Sequence, residues 1–328
     1  MRLILVFLFC VPLSNLQCLE KAPHYITYSF SGGRFGDQLV SYLHAKWISY
    51  KFGIPLLLKE FSYSSQLSLS QLELPFSSDI ADLEVIYLPR LDSFAIDTYI
   101  NEFSKRGPAI LEIPYFPLSE FELTSPQNYP SFVVDWNDPN FKKELQKNIC
   151  LKADLDLVKI PKQKLSVAIH VRLGKEFDGP NMEKYYPLKF PPLTYYFKAL
   201  NHLCKLLDQR ELYVHLFSDD STTNELMAIF REKFPREKFP IEFGTRVENN
   251  SHSKNVLEDF FSLQKFDCII HSESNFSFVA SLIGDYCIKI RPKEFHFQQG
   301  QLIIDEMQID IDHILLEKRL SDLCKSSD

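Results

Sequence analysis

The sequence predicts an α/β protein with one mostly parallel sheet in each half of the chain. Short apolar runs, of the length of buried strands, alternate with segments whose apolar residues recur at helical spacing. This alternation pauses once, at a polar and basic stretch over 151–164, and then restarts, which indicates two domains. The composition is that of a globular protein, with 328 residues of which 45% are hydrophobic, enough for two domains of ordinary size.

In the first half, the run at 24–30 predicts a strand, and a loop at 31–36 follows it. A helix is predicted to start near Asp37 and to end at Gly53, because apolar residues recur at helical spacing between them. Further strands are predicted at 54–58, 84–88, 109–113 and 132–135.

A second helix of this half is predicted to start at Asp138 and Pro139. Aspartate is a preferred N-cap, and proline is favoured at the first helical position. Phe141, Leu145 and Ile149 then fall on one side of this helix and predict its buried face.

The second half repeats the same alternation. The duplicated segment Arg-Glu-Lys-Phe-Pro, at 231–235 and 236–240, is too short for a structural repeat and is interpreted as a solvated connection. We expect domains at 19–155 and 156–328. Strands are predicted at 167–172, 212–218, 267–271 and 286–290, and helices at 193–207, 256–266 and 274–283.

The N-terminal segment 1–18 is interpreted as a secretory signal peptide. A short basic start precedes an apolar run at 3–13 that is too short to span a bilayer, and a polar exit follows. This predicts a protein of the secretory pathway, exported or associated with a membrane through that segment, with no other stable membrane span. A buried N-terminal strand or an uncleaved anchor is the alternative.

The cysteines and the net charge exclude several classes of function. The seven cysteines include no pair at metal-ligand spacing, so no metal site is predicted. Most are interpreted as buried side chains, with one or two disulfides if the protein is exported. The formal net charge of -7 provides no broad basic surface for nucleic acid, so an anionic ligand requires local positive charge.

The candidate site residues follow the predicted strands, where parallel sheets bind their ligands. After the first strand, Gly33 permits close backbone approach, and Arg34 lies in the same turn without an obvious core role. A purely structural glycine turn explains the pattern equally well.

His170 and Arg172 lie on one face of the strand at 167–172, and Arg172 ends it. A guanidinium at the end of a buried strand requires an anion, and its planar fork suits a pyrophosphate. The alternatives are an ion pair with a carboxylate of the other domain for Arg172 and a satisfied core histidine for His170.

Three further residues follow later strands. Asp219 can accept two hydrogen bonds from the edge of a guanine, or cap the helix that begins near 221 or 222. Ser274 and Ser277 lie at a predicted helix start and can form an anion cradle, or Ser274 can be an N-cap alone. Together these positions resemble the layout of a nucleotide-diphosphate site.

Four segments resemble motifs of the GDP-fucose-dependent fucosyltransferases, which include α-1,2, α-1,6 and protein-O-fucosyl branches. They occur in the order and at the spacing of that superfamily and span most of the chain. They are GGRFGDQL in the glycine turn, IHVRLG at 169–174, FSDD at 217–220 and SESNFSFVASLIG at 272–284.

The resemblance implies two Rossmann-like domains facing a cleft, in the arrangement called GT-B, and inverting transfer from GDP-fucose without a metal. The partners it implies are this nucleotide sugar and a glycan acceptor. It also implies that Arg172 holds the β-phosphate, that His170 contacts the donor and that Asp37 lies near the acceptor. Asp219 would contact guanine, and Ser274 with Ser277 the phosphates.

Two departures from the family pattern keep other functions open. Leu173 occupies the position of a second arginine of some branches, and Asp37 that of an asparagine. A catalytically silent glycan- or nucleotide-binding protein of the same fold, or a transferase using another nucleotide sugar, therefore remains an alternative. Candidates for the catalytic base are Asp37, Glu176 and Asp178.

Overall fold

The computed structural model of the protein describes residues 24–30, 32–77, 80, 82–88, 96–114, 134–174, 178–179, 181–219, 222–246 and 253–325. The predicted signal peptide at 1–18 and the candidate base Glu176 lie outside these residues.

Contacts divide the chain into two compact units. The first contains Met1–Gly33 and Gln38–Cys150, and the second contains Arg34–Asp37 and Leu151–Asp328. The sequence prediction placed the boundary after Leu155 and assigned the whole glycine turn to the first domain. In the structure, the turn is divided, because Arg34–Asp37 pack with residues of the second unit.

The first unit is built on a three-stranded parallel sheet of order β1-β5-β4. A separate two-stranded pair, β2 with β3, adjoins β1 through a bridge between Ile26 and Leu56. In chain order the elements are β1 (His24–Tyr28), α1 (Phe35–Phe52), β2 (Leu57–Leu58), a 3-10 turn (Ser64–Gln66), α2 (Leu69–Leu72), β3 (Leu74–Pro75), β4 (Glu84–Tyr87), α3 (Ile96–Phe103), β5 (Ala109–Ile113) and α4 (Pro139–Asn148).

Local capping explains where two of these helices begin. Helix α4 starts as predicted, since the Asp138 carboxylate accepts the backbone N–H groups of Asn140 and Phe141. Helix α1 starts at Phe35, two residues before the predicted position. The Asp37 carboxylate reaches back to the Arg34 backbone N–H over 3.1 Å, as the third residue of a capping box does.

One predicted strand of this half is wrong. Val134 and Asp135, the described part of the predicted strand at 132–135, are not in a strand. Asp135 instead accepts the N–H of Asn137 in the turn before α4.

The second unit is a six-stranded sheet of order β11-β10-β9-β6-β7-β8. All its pairings are parallel except that of β10 with β11. Its elements are β6 (Leu165–Val171), α5 (Met182–Tyr185), α6 (Leu193–Leu206), β7 (Leu212–Ser218), α7 (Thr223–Lys233), β8 (Ile241–Thr245), α8 (Val256–Leu263), β9 (Cys268–His271), α9 (Asn275–Ile283), β10 (Ile288–Gln298), β11 (Gln301–Ile311) and α10 (His313–Lys325).

This strand order is that of a doubly wound nucleotide-binding sheet. The chain builds β6, β7 and β8 toward one edge and then returns to place β9 on the other side of β6. Every residue of β6 and of β7 is buried, as expected for central strands covered on both faces. The predicted α/β class with parallel sheets is therefore confirmed.

The second unit differs from the sequence prediction at both edges of its sheet and in the segment before β8. Strand β10 continues to Gln298, and β8, β11 and α10 were not predicted. The first copy of the duplicated segment is not a solvated connection, because it ends α7 and Phe234 is buried in the core. In these elements, exposed charged residues interrupt the apolar side chains. Short continuous apolar runs therefore do not reveal them.

The cysteines of the described residues are all free thiols. Cys204, Cys268 and Cys287 are buried, as predicted for most cysteines, whereas Cys150 and Cys324 are exposed. The disulfides considered from the sequence are thus not formed among these five residues.

Candidate functional site

The second sheet has its topological switch point between β6 and β9. The two strands run parallel, and His170 lies opposite His271 in their register. Arg172 follows β6, and the segment before α9 follows β9, so both emerge at the carboxyl edge of the sheet. Ligands of doubly wound sheets bind at this place.

Arg172 is buried at this edge and is held between two carboxylates. Its guanidinium donates through Nη1 to Asp219 and through Nη2 to Asp178. The guanidinium carbon lies 5.6 Å from the centroid of the Phe190 ring. Among the described residues, the Nε hydrogen has no hydrogen-bond partner. The Nε donor of the guanidinium is therefore unused among the described residues, although both Nη groups are paired.

The alternative considered for Arg172 from the sequence was an ion pair with a carboxylate of the other domain, and the structure corrects it. An ion pair exists, but both carboxylates belong to the same unit as the arginine. Asp178 also accepts from Arg34, whose Nη2 lies 3.3 and 3.4 Å from its two oxygens. Asp178 thus bridges two guanidinium groups.

Asp219 does not cap the helix that follows it. Its Oδ1 accepts the backbone N–H of Leu173 at 3.1 Å, while Oδ2 accepts from Arg172. Helix α7 has Thr222 at its N-cap position. Both oxygens of Asp219 are occupied, so a guanine would have to compete for them.

The glycine turn packs on the N-terminus of α9. A Cβ atom added at Gly36 would lie 2.5 Å from the backbone nitrogen of Phe276, so only glycine allows this approach. The Asp37 carboxylate accepts from the Asn275 side-chain amide at 2.6 Å, in addition to the Arg34 N–H. Asp37 is therefore fixed beside the start of α9. Gly33 belongs to the first unit, where its carbonyl accepts from Gln38.

His170 is buried in a place that keeps it neutral. Burial lowers the pKa of His170 to about 3, and the nearby positive charge of Arg172 acts in the same direction. The ring lies 5.5 Å from that of Phe276, and its Nδ1 has no hydrogen-bond partner among the described residues. His170 is thus not the satisfied core histidine considered as its alternative.

The two candidate serines are arranged differently from each other. Ser274 is the N-cap residue of α9, but its side chain makes no capping hydrogen bond. Ser277 is fully buried and donates to the carbonyl oxygen of Ser274 at 3.2 Å. Contact of Ser277 with a phosphate would require its hydroxyl to turn away from the backbone.

A cavity of about 310 Å³ opens beside Arg172. Leu173, Gly174 and Phe190 contribute to its lining, together with residues of α5 and the start of α6. Gly174 has a φ of +68°, and an added Cβ would collide with the Phe190 ring. Glycine at this position therefore allows the aromatic ring to lie against the arginine.

Sequence reasoning missed Phe190 and Lys189 as individual site residues. The signal that could have found them is the run Lys-Phe-Pro-Pro directly before an amphipathic helix, because two prolines hold the preceding side chains in a defined loop.

Two searches over the described residues were negative. No group of three or more histidine, cysteine, aspartate or glutamate side chains there could hold a metal ion. No helix there has the length and apolar character needed to cross a membrane.

Comparison with solved structures supports the fold. The chain resembles a mutant of Arabidopsis thaliana FUT1 in complex with GDP, with a TM-score of 0.53 and 14% identity over 85% of this chain and 74% of that one. Fucosyltransferase NodZ from Bradyrhizobium gives a TM-score of 0.44 at 12% identity, over 87% and 99% of the two chains. POFUT1 in complex with GDP-fucose gives 0.43 at 11%, over 80% and 94%.

No protein-family model matches the chain, and no curated protein matches it in sequence. The predicted resemblance therefore extends to the fold alone. This chain has an α/β fold similar to that of the Arabidopsis thaliana FUT1 mutant solved with GDP.

Proposed function

We propose that the protein is a glycosyltransferase that transfers L-fucose from GDP-fucose to a hydroxyl of a glycan or glycoprotein. The observation that carries this proposal is the buried Arg172 guanidinium at the switch point, facing a cavity and retaining an unused Nε donor. The likeness in fold to a fucosyltransferase supports it. Inversion at the sugar carbon and independence of a metal are parts of the proposal.

Donor binding would exchange one anion for another at Arg172. The arginine is paired with Asp178 and Asp219, and the diphosphate would displace one of them. A diphosphate carries more negative charge than a carboxylate and suits the planar guanidinium fork. Asp219, once released, has two oxygens available for the edge of a guanine.

The proposed reaction is a single displacement. The acceptor oxygen forms a bond to the anomeric carbon while the bond from that carbon to the β-phosphate oxygen breaks. Negative charge then grows on the GDP leaving group, where Arg172 stabilises it more in the transition state than in the ground state. Ser274, Ser277 and the N-terminus of α9 would assist.

The acceptor proton passes to a carboxylate in this scheme. Asp178 is a weak candidate, since its oxygens are already paired with the guanidinium groups of Arg34 and Arg172. Asp37 lies near α9 with an orientation set by Asn275 and the Arg34 N–H, and we assign it the role of base. We further propose that segment 1–18 directs the protein to the secretory pathway.

A catalytically silent nucleotide- or glycan-binding protein is the second candidate. It is favoured by the same ion pairs, because both ends of Arg172 are already neutralised by carboxylates. If Asp219 stays bound to Arg172 and Leu173, its oxygens are not available to a guanine. This would favour a transferase for another nucleotide sugar.

Calorimetric titration with GDP and UDP tests the proposal. We expect the protein to bind GDP more tightly than UDP, and Arg172→Ala to weaken GDP binding by at least about a hundredfold through loss of charge-assisted hydrogen bonds. Arg236→Ala is the matched control, because Arg236 is exposed and its loss should leave GDP affinity unchanged. Equal affinity of Arg172→Ala and wild type would overturn the assignment.

Two further results separate the alternatives. Preference for UDP would reject the guanine contact of Asp219, and Asp219→Asn would then affect both nucleotides equally. GDP binding without transfer to any member of an acceptor panel would favour the silent binding protein.

A further inference from the structure

Lys189 is a half-buried cation that lacks an ion-pair partner among the described residues. It lies in the turn between α5 and α6, directly before Phe190. Its Nζ is 5.3 Å from the centroid of the Phe190 ring and 5.7 Å from that of Tyr186. The aromatic faces attract the ammonium, but they leave its three N–H donors unused.

Arg172 and Lys189 both lie against the ring of Phe190. Lys189 Nζ and the Arg172 guanidinium carbon lie 5.3 and 5.6 Å from the Phe190 centroid. They are separated by no more than the sum of these distances. A diphosphate spreads its oxygens over two phosphorus centres, so one molecule can contact both cations.

The remaining charges near Lys189 are already engaged. Arg34 and Arg172 are paired with Asp178 and Asp219. Asp37 accepts from Asn275 and from the Arg34 N–H. Lys189 is therefore the cation of this edge that no described carboxylate neutralises at ion-pair distance.

We propose that Lys189 is a second diphosphate-binding cation, resting on the donor site proposed above. From the turn before α6, Lys189 would provide a second positive charge. Leu173, at the end of β6, provides none. Leu173 lines the cavity with an apolar side chain, whereas a diphosphate needs more than one positive group. Lys189 is thus a donor-binding residue, with Phe190 holding both cations in position.

The electrostatics of Lys189 agree with this role. Burial lowers the pKa of Lys189. The charges of Asp37 and Asp178 act to raise this pKa, and those of Arg172 and Arg34 act to lower it. A partly desolvated ammonium without an ion pair costs free energy, and a bound anion would remove that cost.

The test compares Lys189→Gln, Lys189→Arg and wild type in titrations with GDP and with guanosine. Lys189→Gln should weaken GDP binding by about tenfold, the effect of one charged hydrogen bond, and leave guanosine binding unchanged. Lys189→Arg should retain most of the GDP affinity. Lys184→Gln is the matched control, since Lys184 is an exposed lysine of the neighbouring α5 and its loss should have little effect.

The salt and pH dependence provide a readout that a packing role would not change. Affinity of the wild type for GDP should fall as the pH rises, starting below the usual pKa range of lysine, because a neutral Lys189 no longer attracts the anion. This fall should be absent in Lys189→Arg. The loss of GDP affinity with added salt should be shallower in Lys189→Gln.

The outcomes separate this inference from the proposed function. If wild type binds GDP and Lys189→Gln binds it equally well, the role of Lys189 is wrong and the donor site stands. If wild type does not bind GDP, both are wrong. Should Lys189→Gln fail to fold, Lys189→Met keeps the apolar stem over the aromatic rings and removes the same charge.

Discussion

Two buried polar clusters, one in each unit, differ in how completely their side chains are paired. In the first unit, Glu73 accepts from the Tyr42 hydroxyl at 2.8 Å and from the Asn148 amide at 3.0 Å, and it pairs with Lys46 at 2.8 Å. Lys46 also contacts Glu144 at 3.1 Å. We call these five residues the Glu73 cluster.

In the second unit, Arg34, Arg172, Asp178 and Asp219 form the Arg172 cluster. Among the described residues, Arg172 Nε has no hydrogen-bond partner, whereas no side-chain atom of the Glu73 cluster is in that state. The Glu73 cluster joins helices α1 and α4, while the Arg172 cluster lies at the carboxyl ends of parallel strands. Incomplete pairing, rather than charge alone, is therefore what distinguishes the proposed donor site from the Glu73 cluster.

The strongest test of this comparison removes the centre of the Glu73 cluster. Glu73→Ala leaves the buried Lys46 ammonium with only Glu144, so we expect a loss of about 3 kcal/mol in the free energy of unfolding. Chemical denaturation followed by circular dichroism measures it, and two transitions are expected if the units unfold separately. GDP affinity should not change.

Glu144→Ala is the matched control for this cluster. Its side chain is 30% exposed, against 6% for Glu73, so its removal should cost less than about 1 kcal/mol. A change in GDP affinity in Glu73→Ala, with the second unit still folded, would contradict the structural role.

A smaller effect is expected from Gly36→Ala. The new Cβ would meet backbone atoms of Phe276 and Asn275, which cannot move aside as a side chain can, so we expect a loss of about 2 kcal/mol in stability. Gly107→Ala is the control, because a Cβ at Gly107 meets nothing within 4 Å and its φ is not positive. Equal melting temperatures of the two variants would mean that the turn does not pack on α9.

The smallest effect for a single side chain concerns acid. Burial lowers the pKa of His44 and His170 to about 3, and of His215 and His271 to about 4. The unfolded chain takes up protons on these groups near pH 6.5, while the folded chain does so only at a lower pH. Stability is therefore present above the unfolded pKa and is lost as the pH falls.

This loss should be unequal in the two units, since the second contains three of these histidines and the first contains only His44. Between pH 7 and pH 5.5 we expect a cost on the order of 1 kcal/mol for each histidine. Denaturation curves at the two pH values measure it. A first unit that loses as much as the second would contradict the expectation.

Much of the fold follows from local patterns of the chain. Strands β5 and β7 have their predicted limits, since each is a mostly apolar run with clear flanks, Pro108 and Pro114 for β5 and Glu211 and Asp219 for β7. Helix α4 was predictable because its N-cap, Asp138, and its buried face are both encoded within a few residues. The hairpin of β10 and β11 was not, because exposed charged residues interrupt its apolar side chains, which reach the core only when the two strands pair.

The sequence by itself determined which side chains stand at the carboxyl ends of the strands, including Arg172 and Asp219. Local periodicity is sufficient for this, because a strand end is marked by the residues around it. Only the tertiary structure decided that β9 lies beside β6, that Arg172 pairs with Asp178 and Asp219, and that the start of α1 packs on α9. These contacts join residues distant along the chain, and their energies depend on burial and distance.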